Sequence, residues 1–432
     1  MHTKTHLSFS ALRKLISDRV SALEDIRQEA KVRYEIHDCC LSAFAMMFFQ
    51  DRSLLAFQKR LKEASHQDNL KTLFNVTQIP KSTQLRDVLD TIDASLLEPL
   101  FADFFAPLQR GKHLNLFRVF GDMYLVALDG TQYFSSENIF CPSCLQKKTQ
   151  NGISYYHQVV AATIVCPGVK QVIPLAPEPI RNTDGQTKQD CELNASKRLV
   201  QKIRLTHPKL KIIITGDDLY SNQPFIDALK TSGMSFILVA KPSNHKILFQ
   251  WIDDFKKMED VSHLEIKDDK GRIHIYQWRN DIPLNGTQDA DSVNYFEYSI
   301  RVKNRVNYHN SWVTDISITP ANIKDLVKAG RARWKIENEA FNTLKNQGYH
   351  LEHNFGHGQH HLSYNLLLLN FLAFFMHQIF ELTDLLYQKC RQEFSSRKDF
   401  WNQLRYTIRL IVFPRWGSLL QFILAPKEGV PP

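Results

Sequence analysis

Two apolar runs that each lead into an aspartate constrain the fold of this chain more than any other feature. Residues 123–128 (MYLVAL) precede Asp129, and residues 211–216 (KIIITG) precede Asp217. Each run has the length and composition of a buried strand, so both aspartates are predicted at the carboxyl ends of buried strands. Carboxylates placed in this way are what a divalent-metal site needs.

A third acid, Glu337, lies on a predicted basic amphipathic helix over residues 331–345. The apolar residues of this segment recur at helical spacing and predict one buried face. That face is made of Trp334, Phe341 and Leu344, widened by Ile336 and Ala340.

Cations bracket the acid on the flank of the same helix. Arg333 lies four residues before Glu337, and Lys345 follows it by about two turns. An isolated Arg–Glu pair of this kind stabilises a solvated helix by only a few tenths of a kcal/mol. Together with Asp129 and Asp217, however, Glu337 completes a set of three acids suited to a metal site for phosphoryl transfer.

These residues fall in three blocks that resemble those of a DDE transposase of the bacterial insertion-sequence type. The blocks are residues 128–131 (LDGT), 216–220 (GDDLY) and 333–337 (RWKIE), and the resemblance runs from about residue 124 to about residue 358. The third block departs from the commonest family pattern in two places. Gly330 replaces a tyrosine, and the expected lysine position holds Leu344, with Lys345 one step later.

The resemblance implies metal-dependent DNA cleavage at the ends of a mobile element, followed by strand transfer of the 3′-hydroxyl into target DNA. Mg²⁺ is the expected cofactor, and Mn²⁺ is expected to substitute for it. Asp129 would bridge two metal ions, Asp217 would hold one and Glu337 the other, while Arg333 and Lys345 would contact phosphate oxygens. Three converging carboxylates repel one another, so raised pKa values are expected when no metal is bound.

Neighbouring acids compete for two of these positions. Asp218 is adjacent to Asp217, and the family pattern, which places the acid three residues before a tyrosine, favours Asp217. Glu339 lies about 200° around the helix from Glu337, so only one of them can face the metals. The arginine four residues upstream favours Glu337.

The resemblance also implies the fold class: an α/β chain with a ribonuclease H-like catalytic core, a β-rich insertion and an all-helical N-terminal domain. The predicted core order is strands at 124–128, 155–165 and 169–175, a helix at 188–200, a strand at 211–215, a helix at 224–231 and a strand at 235–240. The predicted divisions are a DNA-end-binding helical domain (1–110), the first part of the core (111–243), the insertion (244–320), the rest of the core (321–390) and a C-terminal tail (391–432).

Two of these regions allow a plainer interpretation. The N-terminal helices are equally compatible with a scaffold whose basic side chains are merely solvated. In the insertion, Trp278 and Trp312 are interpreted as core residues in preference to a surface that stacks on DNA.

A C-x-x-C motif, Cys141 and Cys144, leaves a zinc site open as an alternative. The candidate completing ligands are His157 and either Cys166 or Cys191, although His157 is as compatible with the core or with the active site. Five histidines at 350–361 match no standard zinc spacing, so DNA-phosphate contact or plain loop structure is expected there.

The charge balance fits a nucleic-acid partner, since 54 Lys and Arg exceed 45 Asp and Glu. The predicted partners are double-stranded DNA, as terminal inverted repeats and as target, and a second copy of the chain in a homodimer that joins two ends. The seven cysteines show no disulfide framework, and no signal peptide or membrane span is predicted. A bacterial cytoplasm, at the nucleoid, is the expected location.

Two other functions remain open from the sequence. One is a metal-dependent nuclease with the same core and no strand transfer. The other is a catalytically inactive descendant retained for DNA binding, which the presence of all three acids disfavours.

Overall fold

A single mixed sheet of twelve strands organises the part of the chain that the computed structural model describes, residues 5–28, 32–62, 68–150, 152–182, 189–303 and 305–424. The strands are β1 (Arg118–Val119), β2 (Met123–Ser136), β3 (Leu145–Thr149), β4 (Gly152–Val165), β5 (Ile173–Pro174), β6 (Glu178–Ile180), β7 (Ile212–Gly216), β8 (Ser235–Val239), β9 (Ser262–Lys267), β10 (Ile273–Pro283), β11 (Ser292–Val302) and β12 (Arg305–Thr314). The main path runs β3-β4-β2-β7-β8-β12-β11-β10-β9.

The two predicted aspartate strands are neighbours in the middle of this sheet. β2 pairs with β7 in parallel, with Ala127 opposite Thr215, and with β4 in antiparallel fashion, with Asp129 opposite Ala161. β7 continues in parallel to β8. The predicted α/β class is confirmed, and this arrangement is consistent with a ribonuclease H-like core.

Two of the predicted strands have different lengths in the structure. β2 does not end before Asp129 but continues to Ser136, because Thr131 and Phe134 are still buried and the pairing with β4 persists. The strand predicted at 169–175 is reduced to the two residues of β5, one of which is a proline without an N–H to donate. The predicted loop at 184–185 and helix start at 188 lie outside the described residues.

The predicted β-rich insertion is an extension of the same sheet. β12 pairs with β8, with Val313 opposite Leu238, and β9 to β12 follow as an antiparallel series. The region also contains a helix at Lys246–Lys257 and strand β9, neither of which was predicted. Trp278 and Trp312 are both buried, so they are core residues.

The described residues also form α-helices, and those from the two ends of the chain pack together beside the sheet. The helices are α1 (Phe9–Ser21), α2 (Ile36–Phe48), α3 (Leu54–Lys62), α4 (Asn69–Phe74), α5 (Ser82–Thr91), α6 (Leu100–Arg110), α7 (Glu192–Thr206), α8 (Gln223–Thr231), α9 (Lys246–Lys257), α10 (Ile323–Arg331), α11 (Asn342–Asn346), α12 (Leu362–Thr383), α13 (Leu385–Gln392), α14 (Arg397–Leu410) and α15 (Trp416–Leu424). Phe9 of α1 stacks on Trp416 of α15 with ring centroids 5.2 Å apart, and the Asn69 amide donates to the Ile408 carbonyl at 2.8 Å. The predicted tail is therefore largely helical and shares a core with the N-terminal region.

The longest helix, α12, lies at the centre of this helical layer. Among the described residues it is the one helix long and apolar enough to cross a membrane, and most of it is buried inside the protein. Its Asn365 side chain donates to the carbonyls of Leu89 and Ile92, which fixes α12 to the end of α5. Burial on all sides by other helices is typical of a core helix.

The segment that carries Glu337 is helical but irregular. After α10, a 3₁₀ turn covers Ala332–Trp334, a π-helical stretch covers Ile336–Phe341, and α11 follows. The prediction that Trp334 is buried is wrong, because its exposed fraction is 47%. A 3₁₀ turn followed by a wider π turn breaks the constant angular step on which that prediction rested.

Candidate active site

Asp129 on β2 and Asp217, which directly follows the adjacent strand β7, lie at the same level of the sheet. The parallel register that sets Ala127 opposite Thr215 places the two acids, each two residues further on, side by side. Asp217 directly follows β7, and its Oδ1 accepts the Leu219 N–H at 2.9 Å. The sheet thus brings together the first two predicted acids.

Arg333 connects the third acid to the first. Its Nη1 donates to the Glu337 Oε1 at 2.8 Å and lies 3.8 Å from the Asp129 Oδ2. The exposed fraction of the side chain rises from 6% for Arg333 to 20% for Asp129 and 35% for Glu337. The guanidinium therefore lies beneath the two carboxylates, and the carboxylates are on the solvent side.

The electrostatics of Asp129 show how closely these acids approach one another. Burial raises its pKa to about 7, with Glu337 as the next cause, and Glu192 and Asp217 raise it further. Arg333 acts in the opposite direction but does not cancel the shift. The neighbouring carboxylates act in the direction predicted for converging acids, and burial is the largest cause of the raised pKa.

The two competing acids, Asp218 and Glu339, interact with residues outside the group formed by Asp129, Asp217 and Glu337. Asp218 is buried and accepts the Lys241 N–H at 2.6 Å and an Asn244 amide hydrogen, with the His245 Nε2 at 3.4 Å. Its carboxylate therefore anchors the loop after β8. Glu339 interacts electrostatically with Arg397 of α14, on the helical side of the molecule. Of each adjacent pair, Asp217 and Glu337 are the members that join the cluster.

Lys345 occupies a different environment from the one predicted. It lies on α11 and forms an ion pair with Glu352 at 2.9 Å, and no described contact links it to the three acids.

Gly330, at the position where the family pattern has tyrosine, is explained by packing. A Cβ there would come within 2.7 Å of the Trp312 Nε1, so α10 lies too close to β12 for any side chain.

A fourth carboxylate, Glu192, was missed by the sequence analysis. It is the first residue of α7, and it accepts hydrogen bonds from the Tyr220 hydroxyl at 2.7 Å and the Gln158 amide at 3.1 Å. Burial raises its pKa, and Asp217 raises it as well. No sequence pattern relates Glu192 to the other acids; the structure shows that Gly130 makes room for it, since a Cβ at residue 130 would collide with the Glu192 carboxylate.

The C-x-x-C cysteines lie in a separate group. Cys141 and Cys144 are grouped with His157 and His357, whereas the predicted completing ligands Cys166 and Cys191 are not part of the group. His157 therefore does not belong to the acidic cluster. His357 comes from the histidine-rich stretch for which no zinc spacing was recognised.

The acidic cluster suits hard divalent cations. Its donors are carboxylate oxygens, the ligands that Mg²⁺ and Mn²⁺ prefer, and their mutual repulsion is relieved when a cation is bound. The donor set supports this fit, because one arginine lies against the carboxylates of both Asp129 and Glu337, and Asp217 lies beside Asp129.

One comparison with known proteins identifies a family. A family model described as "Transposase DDE domain" matches residues 146–376, just over half of the 432-residue chain. The matched range contains Asp217, Arg333 and Glu337, and Asp129 lies before it. A comparison with curated proteins gives no match.

Proposed function

The chain belongs to the transposase DDE domain family, and from that premise we propose that it cuts DNA at the ends of a mobile element and joins the freed 3′-hydroxyl to target DNA. The family implies transposition by metal-dependent cleavage and strand transfer. The finer assignments that follow, to residues, metal and partners, are part of the proposal.

The observation that carries the proposal is the convergence of three acids from distant parts of the sequence. Asp129 comes from β2, Asp217 follows β7, and Glu337 comes from the π-helical stretch more than 100 residues later. A structural role alone would favour pairing these carboxylates with cations. Here a single buried arginine serves two of them, and Asp129 is left with a pKa of about 7.

We assign Asp129, Asp217 and Glu337 as the ligands of the divalent metal, Mg²⁺ or, in substitution, Mn²⁺. Two such ions, when bound, would neutralise charge on the attacking and leaving oxygens of the phosphodiester. Asp129 is the central acid of the three, since both Glu337 and Asp217 influence its pKa. It is therefore the residue best placed to be shared between two ions.

Arg333 is a positioning residue in this proposal. It is 5% exposed and donates to Glu337, so it holds that carboxylate in place. Direct contact with DNA phosphate, as predicted from the resemblance, would require the guanidinium to leave this enclosed position. The Lys345 side chain is 27% exposed and is paired with Glu352. It would contact a DNA phosphate if the phosphate replaced the Glu352 carboxylate as its partner.

The proposed partner is double-stranded DNA, both as element ends and as target. A cleft between α3 and α14 supports contact with a polyanion, because it collects cations and an exposed aromatic ring, groups that bind phosphates and stack on bases. The cations and the aromatic ring are Arg52, Lys59, Arg405, Tyr406 and Arg409, and the lining also includes one acid, Asp51. We propose a homodimer for the joined complex, since two ends must be held together, and a cytosolic location, in keeping with seven free cysteines.

A strand-transfer assay tests the proposal. Short inverted repeats bounded by a direct duplication are expected in the DNA flanking the gene, and oligonucleotides with those repeats serve as pre-cut ends for joining to a supercoiled plasmid. The wild-type protein should give joined products with Mg²⁺ or Mn²⁺ and none with EDTA. Glu337→Gln should give no joined product while still retarding the end oligonucleotide in a gel.

The matched control is Glu339→Gln, which changes the same residue type on the same helix, and it should join ends as the wild type does. Cleavage without joining under every condition would assign the chain to the nucleases instead. Full joining activity of Glu337→Gln would show that another acid holds the metal.

A further inference from the structure

Four buried side chains form a compact group away from the acidic cluster. Cys141 and Cys144 come from the loop before β3, His157 lies on β4, and His357 lies in the loop between α11 and α12. Each of them is 8% exposed or less. One ligand atom from each lies within 4.8 Å of the ligand atoms of the others.

The distances within this group match a tetrahedral metal site. A zinc ion with bonds of about 2.3 Å to sulfur and about 2.0 Å to nitrogen separates its ligands by about 3.8 Å between two sulfurs, about 3.5 Å between sulfur and nitrogen, and about 3.3 Å between two nitrogens. The two Sγ atoms here are 3.8 Å apart. Three of the four Sγ–Nε2 distances are 3.6, 3.5 and 3.4 Å, the fourth, between Cys141 and His357, is within 4.8 Å, and the Nε2–Nε2 distance between the histidines is 3.1 Å.

The groups around these atoms orient them as ligands. The His357 Nδ1–H donates to the Gly358 carbonyl at 2.8 Å, so Nε2 carries the lone pair and faces the centre of the group. The Cys141 N–H donates to the Cys144 Sγ at 3.4 Å, as backbone amides do to thiolate sulfur. The Phe134 ring packs against both imidazoles, at 5.7 Å from His157 and 4.4 Å from His357.

We propose that Cys141, Cys144, His157 and His357 bind one zinc ion in a structural site. Four protein ligands close the tetrahedron and leave no open position for water or substrate, which distinguishes structural from catalytic zinc sites. Soft thiolate and imidazole ligands select zinc over the Mg²⁺ or Mn²⁺ proposed for the carboxylates. The inference does not depend on the proposed function.

The ion would connect segments that lie far apart in the sequence. His157 and His357 are 200 residues apart, and the loop that carries His357 leads away from the helical segment of Glu337. The far end of the same loop is already fixed, since the Asp90 carboxylate accepts backbone N–H groups there. The donors are Gln359, His360, His361 and Leu362. His357 lies close to these donors in the sequence, so zinc would tie the same end of the loop to the β3–β4 hairpin as well.

Metal analysis of the purified full-length chain tests the site. Elemental analysis of protein prepared without chelator should find about one zinc per chain, and Cys144→Ser and His357→Ala should each lower this to below about one-fifth. Cys166→Ser and His353→Ala are matched controls, because neither residue is in the group, and both should keep the zinc. Asp217→Asn should also keep it, which separates this site from the acidic cluster.

A second measurement applies even where a ligand variant fails to fold. Zinc is removed from the wild-type protein by a chelator and replaced by Co²⁺, which should give the intense visible bands of tetrahedral cobalt together with sulfur-to-cobalt charge transfer. The assignment would be overturned if the zinc-free protein showed no such bands after Co²⁺ is added. A Cys141–Cys144 disulfide in the freshly purified chain, or another metal at the same stoichiometry, would also overturn it.

Discussion

The acidic cluster and the Cys–His group lie along the same pair of strands, since Asp129 is on β2 and His157 is on β4, but their ligands interact in opposite ways. Asp129 of β2 pairs with Ala161 of β4, and five residues along β2 Phe134 pairs with His157, a separation of about 16 Å. The four Cys and His ligand atoms already lie within 4.8 Å of one another, and five of their six distances are 3.1–3.8 Å. The carboxylates instead repel one another, and a buried arginine lies between two of them.

This difference shows how one sheet can hold a preassembled site and a site that is left incomplete. A closed set of neutral or singly charged ligands can be packed in the core, where it adds to stability when the metal binds. Carboxylates gathered for catalysis stay partly exposed and electrostatically unfavourable until a cation and substrate bind. The two sites should therefore respond in opposite ways to the same kinds of change.

The largest expected effect is on the rate of DNA cleavage, with the stability of the protein unchanged. Asp217→Asn should lower the rate of DNA cleavage by at least about 10³-fold, because it removes a charged ligand from the metal site. Its melting temperature and its zinc content should stay at wild-type values. The measurement is a cleavage time course with a labelled end oligonucleotide, run beside thermal unfolding.

The matched control for this variant is Asp227→Asn, on the exposed side of α8. It should cleave at the wild-type rate. Loss of folding in Asp217→Asn, together with loss of cleavage, would mean that the acidic cluster is a structural element and would remove the contrast between the two sites.

The reverse pattern is expected for the Cys–His group. Cys144→Ser should lower the free energy of unfolding by on the order of 3 kcal/mol, since the zinc-binding energy is lost from the folded state. Cleavage should fall only to the extent that protein unfolds, so at a low assay temperature the variant should approach the wild-type rate. Denaturant unfolding of the variant beside Cys166→Ser measures the effect. A variant with wild-type stability and no cleavage would place Cys144 in the chemistry instead.

The sequence allowed the acidic cluster to be predicted better than the Cys–His group, for a physical reason. Asp129 and Asp217 each follow an apolar strand, so local patterning shows both the strand and the position of the acid. Glu337 is accompanied by Arg333 at helical spacing, and that contact is present in the structure. By contrast, His357 reaches its group through a loop, and loop geometry leaves no periodic signal.

What could not be predicted from sequence depends on tertiary packing. Glu192 lies close to Asp129 only because α7 begins above Gly130, and nothing in the helix pattern shows which strand it faces. Trp334 was expected on a buried face because regular helical spacing was assumed, and the π-helical stretch changes that spacing. A β-rich insertion was predicted, but its continuation of the main sheet depends on the long-range pairing of β12 with β8.

A third prediction concerns the stability cost of the acidic cluster. The pKa of Asp129 is about 7 in the folded chain, against an ordinary value of 3.8, so between these values the folded state holds a proton that the unfolded state has lost. Stability therefore falls as pH rises through this window and stays low above pH 7. Asp129→Asn removes the charge and should stabilise the metal-free protein at about pH 8 by on the order of 2 kcal/mol.

Thermal unfolding with EDTA-treated protein measures this gain as a rise of a few degrees at about pH 8 that disappears near pH 4. The comparison with the Cys–His group is sharpened here, because removing a ligand stabilises one site and destabilises the other. A lower melting temperature for Asp129→Asn at about pH 8 would contradict the raised pKa.

The smallest expected effect tests whether Glu192 belongs to the acidic cluster. Its charge raises the pKa of Asp129, so Glu192→Gln should lower that pKa from about 7 by less than one unit, equivalent to less than about 1.4 kcal/mol.

The binding of Mn²⁺ measures this change. Mn²⁺ must displace the Asp129 proton, so its binding should strengthen as pH rises through that pKa. In Glu192→Gln the midpoint of this rise should move to lower pH, whereas Glu339→Gln should leave it in place. Electron paramagnetic resonance of free Mn²⁺ from about pH 5 to about pH 9 follows the midpoint. If the midpoint moves while the affinity above it is unchanged, Glu192 acts through charge alone; if that affinity falls as well, Glu192 is a fourth ligand. An unmoved midpoint would exclude Glu192 from the cluster and leave three acids as the whole of the site.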